Sequence, residues 1–122
     1  MDYQAIYNEA HEAGIQAGKT VAVVPMTVQH RVDPFNDNSQ VEQEWHEPEG
    51  ACGFAWVKFK GNSGFARWAK SNRLTMPAYP SGMQIWVSEF GQSVQRKEAY
   101  AEAFAKVLEK HGIKCFAQSR LD

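Results

Sequence analysis

GACGFAWVKFKGNSGFARWAKSN, residues 50–72, holds five aromatic and four basic residues and no acid. Its first half alternates. In an extended chain Phe54, Trp56 and Lys58 point to one side and Ala55, Val57 and Phe59 to the other, so 52–60 reads as a β-strand. Gly61-Asn62 is a turn pair, and Phe65, Trp68 and Ala69 then recur at helical spacing, predicting a short helix from about Ser63 to Asn72. A strand with large side chains for both faces suits the middle of a sheet. An open face carrying Phe54 and Trp56 suits stacking against a ligand. The residues alone leave both readings standing.

Working outward, residues 2–17 predict a helix with Asp2 as N-cap and an apolar stripe of Tyr3, Ile6, Tyr7, Ala10, Ala13, Gly14 and Ala17. The stripe turns small toward its end, which lets that end approach another element closely. Gly18 is placed just past the helix. TVAVVPMTV, residues 20–28, reads as a strand, with Pro25 restricting it to an edge or a bulge. LTMPAYPSG is a loop, and MQIWVSEF, residues 83–90, is a third strand. Ser93 caps a last helix whose Tyr100, Ala101, Phe104, Val107 and Leu108 form one stripe, and Gly112 ends it. Residues 113–119 close the sheet. The order α-β-β-α-β-α-β predicts a single α+β domain over 1–122, with three helices on one face of a mixed sheet of about four strands. Residues 29–49 are expected to form an irregular acidic loop, with a short strand near 41–45.

With 122 residues, 43% hydrophobic and 22% charged, the chain has the length and composition of one folded domain. The net charge of −1 gives no overall field for a polyanion. Its longest apolar run, Val21–Met26, is far below the ~20 residues of a membrane span, so no membrane partner is expected. MDYQAIYNEAHEAG is acidic and periodic where a signal peptide is basic and then apolar, which points to the cytoplasm. Cys52 and Cys115 are accordingly expected as reduced, buried core residues.

The charge is strongly segregated. Residues 29–49 carry six acids and one Arg, whereas 50–88 carry Lys58, Lys60, Arg67, Lys70 and Arg73 and no acid. Two binding surfaces follow: a basic and aromatic strip of Phe54, Trp56, Lys58, Lys60, Arg67, Lys70 and Arg73, and an acidic one of Asp33, Asp37, Glu42, Glu44, Trp45 and Glu47. Ser93, Arg96 and Arg120 are a third, small anion-pocket candidate, should the start of the last helix meet the C-terminal segment.

No catalytic constellation is legible. The available nucleophiles lie in no recognisable setting, and the four histidines have no metal-ligand spacing. Gly61-Asn62-Ser63-Gly64 has neither phosphate-loop nor dinucleotide spacing. No metal, cofactor or catalytic residue is expected.

Cys52–Phe59 resembles the octapeptide of RNA-recognition-motif domains, K/R-G-F/Y-G/A-F-V-x-F/Y, at seven of eight positions with Trp56 standing for an aromatic. Cys52 occupies the basic position, and this chain begins with a helix where those domains begin with a strand. The resemblance implies bases stacking on an open sheet face. Read whole, GACGFAWV (50–57), GNSGFARWAK (61–70), IWVSEFGQSVQRKEAYAEAFAKVL (85–108), GIKCFAQSRLD (112–122) and YNEAHEAGIQAG (7–18) resemble a family of short proteins of tailed bacteriophages and prophages. That resemblance implies a non-enzymatic accessory protein of the bacterial cytoplasm. It would modulate a host or phage component, defence systems among them, through protein contacts. The alternatives are a single-stranded nucleic-acid binder using 52–73, and a small-molecule-binding domain or small enzyme without a recognisable motif. A second copy of the chain is a further expected partner.

Overall fold

Asp2 accepts a hydrogen bond from the Ala5 amide and starts α1, Tyr3–Thr20, in the computed structural model, which describes residues 1–31 and 41–122. The helix runs through Gly18, which is buried. Gly18 is therefore not a stop signal. A Cβ there would lie 2.3 Å from the Phe90 ring, and one at Gly14 would lie 2.6 Å from Tyr100. The small end of the stripe admits these two rings, and that packing outweighs glycine's low helix propensity.

The run expected as one strand over 20–28 divides accordingly. Thr20 completes the helix, and β1, Met26–Arg31, begins past Pro25. It pairs antiparallel with β2, Val41–Glu47, in a two-stranded sheet of their own, Met26 opposite Glu47 and Val28 opposite Trp45. Much of the segment expected as irregular is thus paired backbone, because a ladder needs no apolar periodicity to satisfy its amides.

The remaining elements are β3 (Gly53–Phe59), α2 (Gly64–Ser71), β4 (Met76–Pro77), β5 (Met83–Trp86), α3 (Val94–Lys110) and β6 (Cys115–Leu121). They form one antiparallel sheet in the order β4-β5-β3-β6. Since β5 is antiparallel to both β3 and β4, those two run parallel with β5 between them, joined through α2. By the same logic β5 and β6 run parallel with β3 between, joined through α3. This interleaved β-α-β-β-α-β arrangement is the ferredoxin-like, split βαβ topology. The fold is α+β as expected, although the sheet is antiparallel where a mixed one was expected, and its order places α1 and the β1–β2 pair ahead of a strand-first unit. The initial helix is an addition to that unit, not a departure from it.

Alternation along β3 sorts the two faces. Ala55, Val57 and Phe59 are buried under the helices with Ile85, Val87 and Cys115. Phe65, Ala66 and Ala69 of α2 and Tyr100, Ala101, Phe104, Ala105 and Leu108 of α3 fill the other side of this layer. Helix α1 lies on α3, and its Tyr3 and Tyr7 pack against Phe65, Trp68 and Phe104. Tyr100, buried among these rings, brings its hydroxyl 2.6 Å from Nδ1 of His11 and so ties α3 to α1. Burial, then the nearby Glu89 carboxylate, raises its pKa well above the ordinary phenol range, so the hydroxyl keeps its proton.

Candidate functional site

All three helices lie on the same side of the four-stranded sheet. The other face carries Phe54, Trp56 and Lys58 of β3, as the alternation predicts, and these are only half-buried. Register determines their neighbours. Trp56 pairs with Trp86 of β5 and with Gln118 of β6, Lys58 with Gln84 and Phe116, and Phe54 with Arg120.

The two indoles stack with centroids 5.2 Å apart and planes 4° from parallel. Phe54 continues the row, 5.6 Å from Trp86. Trp56 Nε1 donates to Gln118 Oε1 at 2.9 Å, which fixes the ring across the strands. The Arg120 guanidinium lies 5.4 Å from the Phe54 ring centre, and the Lys97 ammonium, buried and donating to the Gly53 carbonyl, lies 5.5 Å from it. Two cations therefore bracket one end of an aromatic row. Phe116 and Met76, on the same face, are 60% and 43% exposed. Large apolar side chains grouped on an open surface mark an interaction site.

No acid occupies an open-face position on these four strands. Three strands of the acid-free span 50–88, β3, β4 and β5, thus supply most of this face, and β6 completes it. At the far end of β3, Lys58, Lys60 and Lys114 line a cavity of about 500 Å³ together with Gly61, Asn62, Gly82 and Phe116.

The structure divides the basic strip read from the sequence. Phe54, Trp56 and Lys58 share the sheet face, with Lys60 at its edge. Arg67 and Lys70 are exposed on α2, which packs through Phe65 against the helix-side Phe59. Arg73 follows α2 in a left-handed conformation (φ 59°). These three cations belong to the helical layer. Of the acidic candidates, Asp33 and Asp37 lie outside the described residues, while Glu42, Glu44, Trp45 and Glu47 fall on β2.

The start of α3 does meet the C-terminal segment, since Cys52 bridges to Ser93 and also accepts from the Asp122 amide. No anion pocket results. Ser93 is the N-cap of α3 and is 2% exposed, its hydroxyl donating to the Glu49 carbonyl. Arg96 is held by the Glu49 carboxylate and by the Gly18 and Lys19 carbonyls at the end of α1. Arg120 turns to Phe54 on the open face. The three residues are engaged in three directions.

Trp86, Phe116 and Lys114 are site residues that the sequence reading did not single out. Their signal was present for Trp86, since Gln84 and Trp86 alternate with Ile85 and Val87, but only the β3–β5 register joins it to Trp56.

Cys52 is exposed, against the expectation of a core residue, whereas Cys115 is buried. The Cys115 thiol donates to the Ala105 carbonyl at 3.4 Å, and burial pushes its pKa up to about 11. A thiol reagent at pH 8 should therefore modify Cys52 promptly and Cys115 only after denaturation, as read by mass spectrometry; prompt double labelling would contradict this burial. Because the folded state holds that proton more tightly, the associated stability is present below the ordinary thiol pKa of about 8.5 and is lost as pH rises toward 11.

Among the described residues, no group of three or more His, Cys, Asp or Glu is placed to hold a metal ion, and no helix is long and apolar enough to cross a membrane. No protein-family model, curated protein or solved structure matches this chain.

Proposed function

We propose that this chain is a single-stranded nucleic-acid-binding domain that uses the open face of its four-stranded sheet. The observation that carries the reading is the aromatic row Phe54–Trp86–Trp56 on a sheet face whose strands carry no acid among the described residues. Bases stack on such rings for about 1–3 kcal/mol each, and only unpaired bases can be splayed onto them. Lys58, Lys60, Lys114 and Arg120 supply charge for the backbone. The ferredoxin-like topology supports the same use, since it leaves one broad sheet surface free of helices. Taken with the resemblance to small phage and prophage proteins, which rests on the quoted residues, the reading is of an accessory protein whose partner is a nucleic-acid strand.

The test is binding of a fluorescent oligothymidylate at 50 and 200 mM salt. If the four cations each neutralise one phosphate, affinity should fall about fiftyfold between the two, from a slope of roughly −0.7 per phosphate for single strands. Absence of binding at the lower salt overturns the reading and returns the face to a protein partner.

A further inference from the structure

The cavity at the end of β3 has a chemistry distinct from the row of rings. Three ammonium groups, Lys58, Lys60 and Lys114, line about 500 Å³ with no carboxylate among the lining residues. Lys58 gives one hydrogen bond to the Tyr79 carbonyl at 3.2 Å, and both Lys60 and Lys114 are exposed. Like charges gathered in a concave surface repel one another until an anion neutralises them. The walls are two tight turns. Gly82 sits at φ +92° with the Phe59 carbonyl oxygen 2.8 Å from where a Cβ would be, so the backbone itself closes that side. Phe116 offers a 60% exposed ring at the rim. The volume lies within the ~300–1,000 Å³ of small-molecule sites.

We infer that this cleft is a phosphate-monoester site for a nucleotide, with the phosphate on the lysines and the base on Phe116. Compact ammonium groups bind phosphate as point charges. A monoester carries about −1.5 to −2 at pH 7, against −1 for an internal phosphodiester, and so better matches three clustered cations whose cleft has no carboxylate among its lining residues. The ligand has two sources, a free mononucleotide or the phosphorylated end of a strand lying along β3. The second source rests on the sheet-face reading; the first does not.

The experiment compares AMP with hexathymidylates bearing a 5′-phosphate, a 3′-phosphate or two hydroxyl ends, in the wild type and in a Lys60→Ala/Lys114→Ala variant. Both lysines are exposed, so the variant should keep the wild-type thermal midpoint. A phosphorylated strand should bind about tenfold more tightly than the hydroxyl form. That preference should vanish in the variant and decay below about pH 6 as the monoester loses its second charge. Equal binding of phosphorylated and hydroxyl strands, with no AMP binding, overturns the cleft and leaves the sheet-face reading intact. Lysine-dependent AMP binding without strand binding keeps the cleft and removes the sheet-face reading. If nothing binds, both fall.

Discussion

Trp56→Ala should bind an unstructured oligothymidylate about 10- to 100-fold more weakly than the wild type if, as proposed, one indole of the stacked pair is the platform for at least one base. Trp86→Ala should lose a similar amount. The double variant should lose less than the product of the two, since both rings belong to one stack and their effects couple. Trp56→Phe retains an aromatic face and should recover most of the affinity. The informative contrast is an Arg67→Ala/Lys70→Ala variant. These residues share the basic strip in sequence but stand on α2, in the helical layer, and removing them should change affinity by less than about threefold. Each variant is checked for its unfolding midpoint, because a cross-strand aromatic pair itself contributes about 0.2–1 kcal/mol to folding. Wild-type affinity in Trp56→Ala would remove the sheet face as the binding site. A large loss in the α2 variant would move the site to the helices.

The second large effect concerns α1 and has a sign that helix propensity gets wrong. Alanine is favoured over glycine by about 1 kcal/mol inside a helix. Gly14→Ala and Gly18→Ala should nevertheless each destabilise the protein by roughly 2 kcal/mol, because the new methyl groups fall 2.6 Å from Tyr100 and 2.3 Å from Phe90. Neither ring can retreat freely. Tyr100 is buried and bonded to His11, and Phe90 holds a left-handed backbone at φ 67° between β5 and α3. For a domain of this length the thermal midpoint should drop by about 10 °C. Urea denaturation reports the same loss as a shifted midpoint at constant slope. Gln16→Ala, on the solvent side of the same helix, should be neutral or slightly stabilising. An increase in stability for Gly18→Ala would mean that α1 does not sit against Phe90. Oligonucleotide affinity per folded molecule should be unchanged, since these glycines lie on the opposite side of the sheet.

The parts legible in the sequence were those fixed by local periodicity. The phase of β3 followed from alternation, the inward stripes of α2 and α3 from helical spacing, and the caps at Asp2 and Ser93 from residue type. The small end of α1 signals a close approach, although Gly18 taken by itself signals a stop. Glycine serves both purposes, and only the neighbouring ring decides between them. Two-residue β4 was invisible, because Met76-Pro77 has no pattern of its own and exists through its pairing with Gln84 and Met83. The candidate site was half legible. Phe54, Trp56 and Lys58 could be placed on one face, but Trp86, Phe116 and Lys114 reach it through strand register and through the return of β6, which no local signal encodes. For the same reason Arg67 and Lys70, near neighbours in the chain, turned out to stand on the other layer.

A βαββαβ unit offers two broad surfaces, the bare sheet and the outer side of its helices. Here the second is partly covered by α1, whose Tyr7 lies against Trp68 and Phe104 and whose Gly14 and Gly18 receive Tyr100 and Phe90. The N-terminal helix thus acts as a resident intramolecular ligand for the back of the domain. What it leaves open, among the described residues, is the aromatic face of the sheet. Any two macromolecules recognised through that face would have to compete for it, so occupancy by one would report directly on the absence of the other.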